Sequence, residues 1–416
     1  MTLEIYNTIC QWLRELIAGT CWEGHIFAVG GCCRDVVMNR PINDIDLAVD
    51  VENGGMLFAD WLEKRNLTVT PIIRFERYGT AMLHFSKFPQ YEIEIVQTRR
   101  GKYTDENADN PGSVFGTIEE DACRRDFTVN SLFYDITNDR LLDLTGKGLA
   151  DLEAHRLRTP MEPTLTFYDD PVRILRCIRM ACAWGWVIDR ETLAAMRASV
   201  RELKTVKPER RRAEFEKMLT GPDPVRALEL ARTSGAMRFI FPELENLYRN
   251  RNCGGGITLW QCALRTIEAL GSCDDLNMRL AALLYVFSYT QEPKNTKVPQ
   301  EVETSLNGAH KAEKILKRLK YHNPRVKEVT FLIRNHAATL RWGNQAEYAK
   351  DRTLQRLTRL CVTNKRLDGL LRFIHAIHTG LPQLSHKTQQ VPKIRERLFA
   401  SRLLDYRDSG PMAAEA

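Results

Sequence analysis

Asp44 and Asp46 are the first residues in the sequence whose type and spacing suggest chemistry. They alternate with Ile45, Leu47 and Val49, which reads as a strand over 45–49. In an extended chain, residues two apart share a face, so the two carboxylates converge while Ile45 turns to the core. Convergent carboxylates suit a hard, oxygen-seeking cation such as Mg²⁺. A pair of such ions can activate a hydroxyl and steady a leaving pyrophosphate. A third carboxylate is expected from a neighbouring strand over 91–97, where Glu92 and Glu94 alternate with Ile93 and Ile95. Glu94 is the preferred third ligand and Glu92 the alternative. The candidate catalytic and metal-binding set is therefore Asp44, Asp46 and Glu94, holding two Mg²⁺ ions, with Mn²⁺ as the alternative.

A two-aspartate spacing is common by chance, and the residues before it give it meaning. A strand over 25–29 leads into Gly30 and Gly31, and a short helix follows from Arg34 to Met38. At such a strand–glycine–helix junction, backbone N–H groups can approach a triphosphate and Arg34 can neutralise it. The combination reads as a nucleotide site.

The elements that must position these residues fall into two regimes. Apolar residues at helical spacing mark 4–20, and period-two patterns mark further strands at 68–73 and 80–85. The stretch 100–117, rich in Gly, Asn, Asp and Pro, reads as a mobile loop. From about 147 the helical period takes over, with helices expected at 171–184, 191–203, 208–219 and 223–235, and more helix across 257–290 and 309–380. Pro171, Pro208 and the Gly221–Pro222 pair punctuate them. The expected fold class is α+β: a mixed-sheet head over 1–145, then an extended all-α neck (146–245), body and tail (246–416).

Composition narrows the class. Hydrophobic residues make up 44% and charged residues 27% of the 416, the balance of a globular protein. No apolar run reaches the ~18–20 residues that span a bilayer, and the first residues lack the pattern of a signal peptide. The 11 cysteines never form paired CxxC ligands, and the Cys32–Cys33 pair reads as small buried side chains. A reducing cytoplasm is the expected setting. Residues 301–416 hold 22 Lys/Arg against 11 Asp/Glu, a net +11 on a chain whose total is +7. That asymmetry points to a polyanionic partner, and Lys311, Lys314, Lys317, Arg318 and Lys320 are its expected seat.

Several motifs together carry a resemblance. Gly30, Gly31, Arg34 and Asp35 followed by Asp44 and Asp46 look like the signature of the DNA polymerase β-like nucleotidyltransferase superfamily. The run from Arg124 through Arg125, Asp126, Phe127, Thr128, Val129 and Asn130 to Leu132 resembles the RRDFTxNAL motif of class II tRNA nucleotidyltransferases and bacterial poly(A) polymerases. Asp151–Leu152, then Asp169, Asp170, Pro171, Val172 and Arg173, then Pro208, Glu209, Arg210, Glu214 and Phe215 continue in the same order, over roughly 25–245.

The resemblance implies template-independent completion or repair of the 3′-terminal CCA of tRNA from CTP and ATP, with the tRNA 3′ end as partner, no membrane and no obligate protein partner. It implies that Gly30, Gly31, Arg34, Arg125, Asp126, Asp170, Arg173, Arg176 and Arg179 bind the nucleotide. Asp126 would accept from ribose hydroxyls. Asp170 and Arg173, one turn apart on a helix, would pair with the amino donor and ring-nitrogen acceptor shared by C and A. Asp169 stands where the family usually has Glu, in an orienting rather than reading role. Glu209 and Glu214 would brace the base-reading helix. Within 246–416, residues 258–290 resemble a degenerate HD-type region without the His and His-Asp metal ligands, so no second hydrolase activity is expected. Two other readings compete: a poly(A) polymerase or partial CC- or A-adding enzyme, and a non-catalytic RNA-binding protein. The residues 73–81, with Gly79 and Thr80, favour the tRNA enzyme over poly(A) polymerase.

Overall fold

The computed structural model describes residues 1–101, 114–250, 256–290, 300–339, 361 and 364–381. The chain forms two compact units, Met1–Thr205 and Val206–Ala416, divided inside the segment expected as a neck.

The first unit begins with α1 (Leu3–Ile17), whose Ile9, Leu13 and Ile17 are fully buried. There follow β1 (Ile26–Val29), α2 (Gly31–Val37), β2 (Ile45–Val49), α3 (Gly54–Glu63), β3 (Thr68–Phe75), β4 (Thr80–Phe85) and β5 (Phe88–Gln97). Next come α4 (Ile118–Arg124), β6 (Leu132–Asp135), β7 (Arg140–Asp143) and α5 (Gly148–Glu153). Strands β1 to β7 form one mixed sheet in the order β3-β4-β5-β2-β1-β6-β7. Its pairs are antiparallel except β2 with β5, which run parallel. A parallel pair needs a long crossover, here supplied by α3, β3 and β4. Phe27, Val29, Ala48, Ala122 and Phe133 form a core cluster on this sheet.

Helix α3 opens with two glycines, which argue against a helix on propensity. A Cβ at Gly55 would lie 2.5 Å from the Gly79 carbonyl oxygen and 3.0 Å from that of Ile95, so the close approach of α3 to the sheet requires glycine. The segment expected to be all helical also contains a two-residue parallel pair, β8 (Arg156–Leu157) with β9 (Val187–Ile188). It brackets α6 (Pro163–Asp169) and α7 (Val172–Trp184), and α8 (Arg190–Ser199) completes the unit. Gly185, at φ 71°, ends α7 in a left-handed turn.

The second unit comprises α9 (Pro208–Leu219), α10 (Pro224–Thr233), α11 (Met237–Ile240), α12 (Leu259–Ala269), α13 (Leu276–Leu284), α14 (Gln300–Arg318), α15 (Asn323–Asn335) and α16 (Asn364–Gly380). Of its expected anion-binding cations, Lys317 pairs with Glu313, Arg318 with Glu243 and Lys320 with Glu209. Those three charges are locally compensated, which reduces the polyanion field inferred from the sequence.

His336 lies in the core of this unit, beside Tyr285 and Tyr289. Its Nδ1 faces the Ile333 carbonyl, so Nδ1 carries the proton, and Nε2, 3.2 Å away, accepts from the Tyr289 hydroxyl. Burial lowers its pKa from 6.5 to about 4. The folded state thus binds this proton less readily than the unfolded chain. The contribution is complete above pH 6.5 and is lost as pH falls towards 4, by ~3 kcal/mol in total. Urea unfolding monitored in the second unit should show this acid-side loss in the native sequence and a flatter profile in His336→Asn. Parallel profiles would show that His336 does not titrate on unfolding.

Candidate active site

The parallel register of β2 with β5 sets the carboxylates. Ile45 and Leu47 are fully buried, Asp46 lies on the opposite face, and Asp44 is exposed just before the strand. Asp46 stands opposite Glu94, as Ile45 does opposite Ile93. This puts Glu94 rather than Glu92 beside Asp46; Glu92 is exposed on the strand.

Burial raises the Asp46 carboxyl to about 6, and Glu94 and Asp44 push in the same direction against Arg125 and Arg176. Burial also raises Glu94, reinforced by Glu92 and Asp44 and opposed by Arg99. These acids repel one another in a partly desolvated place, which a divalent cation would relieve. Among the described residues, no three His, Cys, Asp or Glu side chains form a complete metal cage. Mg²⁺ does not demand one: one or two carboxylates, waters and substrate phosphates commonly hold it. The hard-oxygen donor set fits that ion.

Gly30 sits at the start of α2 with φ 75°, a conformation that side-chain-bearing residues rarely adopt. A Cβ there would lie 3.0 Å from Arg125 Nη1 and 3.9 Å from Asp46 Oδ2; one at Gly31 would lie 3.7 Å from Arg34 Nη2. The glycine turn is therefore an open cradle flanked by two guanidinium groups, with Asp46 beside it. Cys32 and Cys33 point inward, their thiols donating to the Val29 and Ala28 carbonyls.

The arginines are held by carboxylates. Asp121, 1% exposed at its side chain, receives Arg124 on one oxygen and Arg125 on the other, and also the Arg99 backbone N–H. Burial would raise its pKa, but the two guanidinium groups outweigh burial and lower it. The sequence reading missed this residue. The available signal was its helical spacing, three and four residues before Arg124 and Arg125.

Asp126 is nearly buried. Its Oδ1 accepts from the Phe127 N–H at 2.8 Å and from Asn130 Nδ2 at 2.9 Å, and its Oδ2 accepts from Arg176 Nε at 2.8 Å. Burial is outweighed chiefly by Arg176, which holds the Asp126 carboxyl at about 2. In this conformation both oxygens are engaged within the protein, and Asp126 ties the RRDFT segment to α7.

On α7, Arg173 is buried, with Nη1 donating to the Thr166 carbonyl at 3.1 Å and Nη2 lying 3.3 Å from Asp169. Asp169 is thus an ion-pair partner of Arg173, consistent with an orienting role. Asp170 Oδ1 accepts from the Val172 N–H at 3.3 Å at the start of α7. Arg179 lies half-buried one turn beyond Arg176. A cavity of about 200 Å³ adjoins Arg173 and Asp169, with apolar walls from Cys123, Met161 and Leu165.

Residues 26–158 match the poly A polymerase head domain, and residues 185–248 match the probable RNA and SrmB-binding site of polymerase A. The chain is 34% identical over 235 residues to tRNA nucleotidyltransferase cca1 of Schizosaccharomyces pombe, covering 54% of this chain and 47% of that protein. It is 36% identical over 227 residues to the mitochondrial CCA tRNA nucleotidyltransferase of Saccharomyces cerevisiae, covering 51% and 41%. Poly(A) polymerase I of Haemophilus influenzae is 29% identical over 229 residues, covering 54% and 50%. The chain spans about half the length of the curated relatives it matches. Among solved structures, a tRNA nucleotidyltransferase complexed with a primer tRNA and an incoming ATP analog gives a TM-score of 0.62 at 20% identity, covering 91% of this chain and 96% of that one. The Thermotoga maritima CCA-adding enzyme complexed with tRNA gives 0.59 at 18%, covering 100% and 94%. At these identities the structural likeness is one of fold.

Proposed function

We propose that the chain belongs to the nucleotidyltransferase family of CCA-adding enzymes and bacterial poly(A) polymerases, and that it completes or repairs the 3′-terminal CCA of tRNA from CTP and ATP, releasing pyrophosphate. The observation that supports this reading best is the pairing of Asp46 with Glu94 beside the Gly30–Gly31 cradle. Asp46 and Glu94, with Asp44 at the strand entrance, are the proposed holders of Mg²⁺, which when bound lowers the pKa of a hydroxyl and offsets phosphate charge.

The protein's own groups supply position. The glycine turn admits phosphates against the backbone, and Arg125 and Arg34 face that space. Arg173 and Asp170 offer a donor beside an acceptor, matching the edge common to cytosine and adenine. Asp126 holds Arg176 and so fixes α7 relative to the RRDFT segment. The proposed division of labour is a catalytic head over 1–145, a base-selecting neck over 146–245 and an RNA-binding body beyond 246. The family matches over 26–158 and 185–248 support the first two.

No helix among the described residues is long and apolar enough to cross a membrane. The cytoplasm is the proposed compartment, supported by cysteines that form no disulfide among the described residues. The mitochondrial naming of the Saccharomyces cerevisiae relative makes an organelle the competing location.

Gly30→Ala tests the cradle. The new Cβ meets Arg125 and strains the backbone, so kcat/KM for CTP and ATP is expected to fall about 10- to 100-fold. Steady-state kinetics with the native level retained would exclude close phosphate approach at Gly30. The function itself is tested with tRNA transcripts ending before CCA, after C and after CC, given Mg²⁺ and CTP, ATP or both. Addition of C, C and a single A is expected. Long A tails or a stop after CC would move the assignment within the family, and RNA binding without incorporation would make it a non-catalytic RNA-binding protein.

A further inference from the structure

The indole of Trp184, half-buried at the end of α7, has two guanidinium groups over it: Arg34 at 4.5 Å and Arg40 at 5.8 Å from the ring centroid. The two arginines differ in their other contacts. Arg34 donates Nε and Nη2 to the two oxygens of Asp35, each at 2.8 Å, and Nη1 to Asn130 Oδ1 at 2.6 Å. The Arg40 guanidinium has no hydrogen bond or ion pair among the described residues; Trp184 is its contact. Asp35 offsets one of the two charges, and the other is left uncompensated over Trp184. Arg40 also lies in the short segment joining α2 to β2, four residues before Asp44.

We propose that Trp184 and Arg40 complete an anion site with Arg34, in which Trp184 is a positioning residue and Arg40 a further phosphate contact, taking the triphosphate of the incoming nucleotide. A flat aromatic face holds a guanidinium plane without consuming its N–H donors, so those of Arg40 stay available for phosphate oxygens. Burying the Arg34–Asp35 pair against Trp184 fixes the plane of Arg34 beside Gly31. An uncompensated arginine next to a paired one favours a ligand with more than one negative charge.

The same contacts link phosphate binding to base reading. Arg34 reaches Asn130, Asn130 reaches Asp126, Asp126 holds Arg176 on α7, and Trp184 at the far end of α7 returns to Arg34. The helix that would read the base is thus attached at two points to the groups that would read the phosphates.

This inference rests on the nucleotidyltransferase reading, and its test separates the two. Binding of inorganic pyrophosphate and of ATP with Mg²⁺ would be measured by calorimetry, without RNA, for the native chain, Trp184→Leu, Trp184→Phe and Arg40→Gln. KM values for CTP, ATP and tRNA would follow. Trp184→Leu and Arg40→Gln should weaken pyrophosphate and ATP about 2- to 30-fold, the range of a cation–π contact. KM for tRNA and the melting temperature should stay near native. Trp184→Phe, which keeps an aromatic face, should recover most of the loss.

Unchanged pyrophosphate affinity in both variants would overturn the proposal, as would a rise confined to KM for tRNA, which would assign the cluster to the RNA backbone. If Trp184→Leu lost affinity only in step with melting temperature and Trp184→Phe did not restore it, the role would be structural and the proposal wrong. Native protein that bound pyrophosphate but incorporated nothing would end the proposed activity while leaving the anion site measurable.

Discussion

Asp46→Asn is expected to lower nucleotide addition by at least about three orders of magnitude in kcat/KM, the scale of several kcal/mol of lost charge stabilisation. It is also expected to leave the first unit as stable as before or more so. Both results follow from one arrangement. Asp46 stands beside Glu94 in register and near Asp44, and burial and these acids raise its pKa to about 6. A carboxyl whose folded pKa lies above the unfolded value is destabilising when ionised, and that cost disappears as pH falls through the folded pKa. Near pH 7.5 the asparagine variant should therefore gain up to ~2 kcal/mol, allowing for partial exposure, and the gain should shrink by pH 5. Urea unfolding without divalent cation at the two pH values gives the measurement. A variant that kept its activity, or lost stability at pH 7.5, would show that Asp46 is structural.

Asp121→Leu should have the largest effect on stability, a loss of about 3–5 kcal/mol. Asp121 is buried between Arg124 and Arg125 and accepts the Arg99 N–H as well. Its removal leaves two guanidinium groups facing a partly desolvated cleft without their counter-charge, and Arg125 loses the carboxylate that aims it at Gly30. Activity should disappear with stability. Asp121→Asn, which keeps the shape and an acceptor, should cost less. Chemical unfolding of the two variants distinguishes a buried charge clamp from a surface acid: a change within about 0.5 kcal/mol for leucine would place Asp121 among the latter.

Much of the candidate site's backbone placement was legible because strand alternation is a local rule. Ile45 and Leu47 are buried and Asp46 faces away, as period two requires, and β2 occupies 45–49 as the sequence pattern indicates. Helices α7 and α9 also begin and end close to their proline and glycine signals. Other elements were not legible for equally local reasons. Strands β6 and β7 are four residues each, too short for a periodic signal, and α3 begins with the glycines that usually interrupt a helix. The expected loop over 100–117 lies largely outside the described residues, apart from its ends, where Phe115 bridges Arg99.

The sequence by itself determined the α+β class, the face on which Asp46 lies, the glycine turn and the order of motifs that carries the family resemblance. Each depends on residues within a few positions of one another, where backbone geometry leaves little choice. Tertiary structure alone decided which glutamate stands beside Asp46, because strand order and register depend on the crossover through α3, β3 and β4. It also decided the partners of the charged groups. Arg173 pairs with Asp169, Asp126 with Arg176, Arg125 with Asp121, and Trp184 gathers Arg34 and Arg40 from about 150 residues earlier in the chain. A charge in a sequence has many candidate partners, and burial selects among them because an unpaired charge away from water costs more than any local preference supplies.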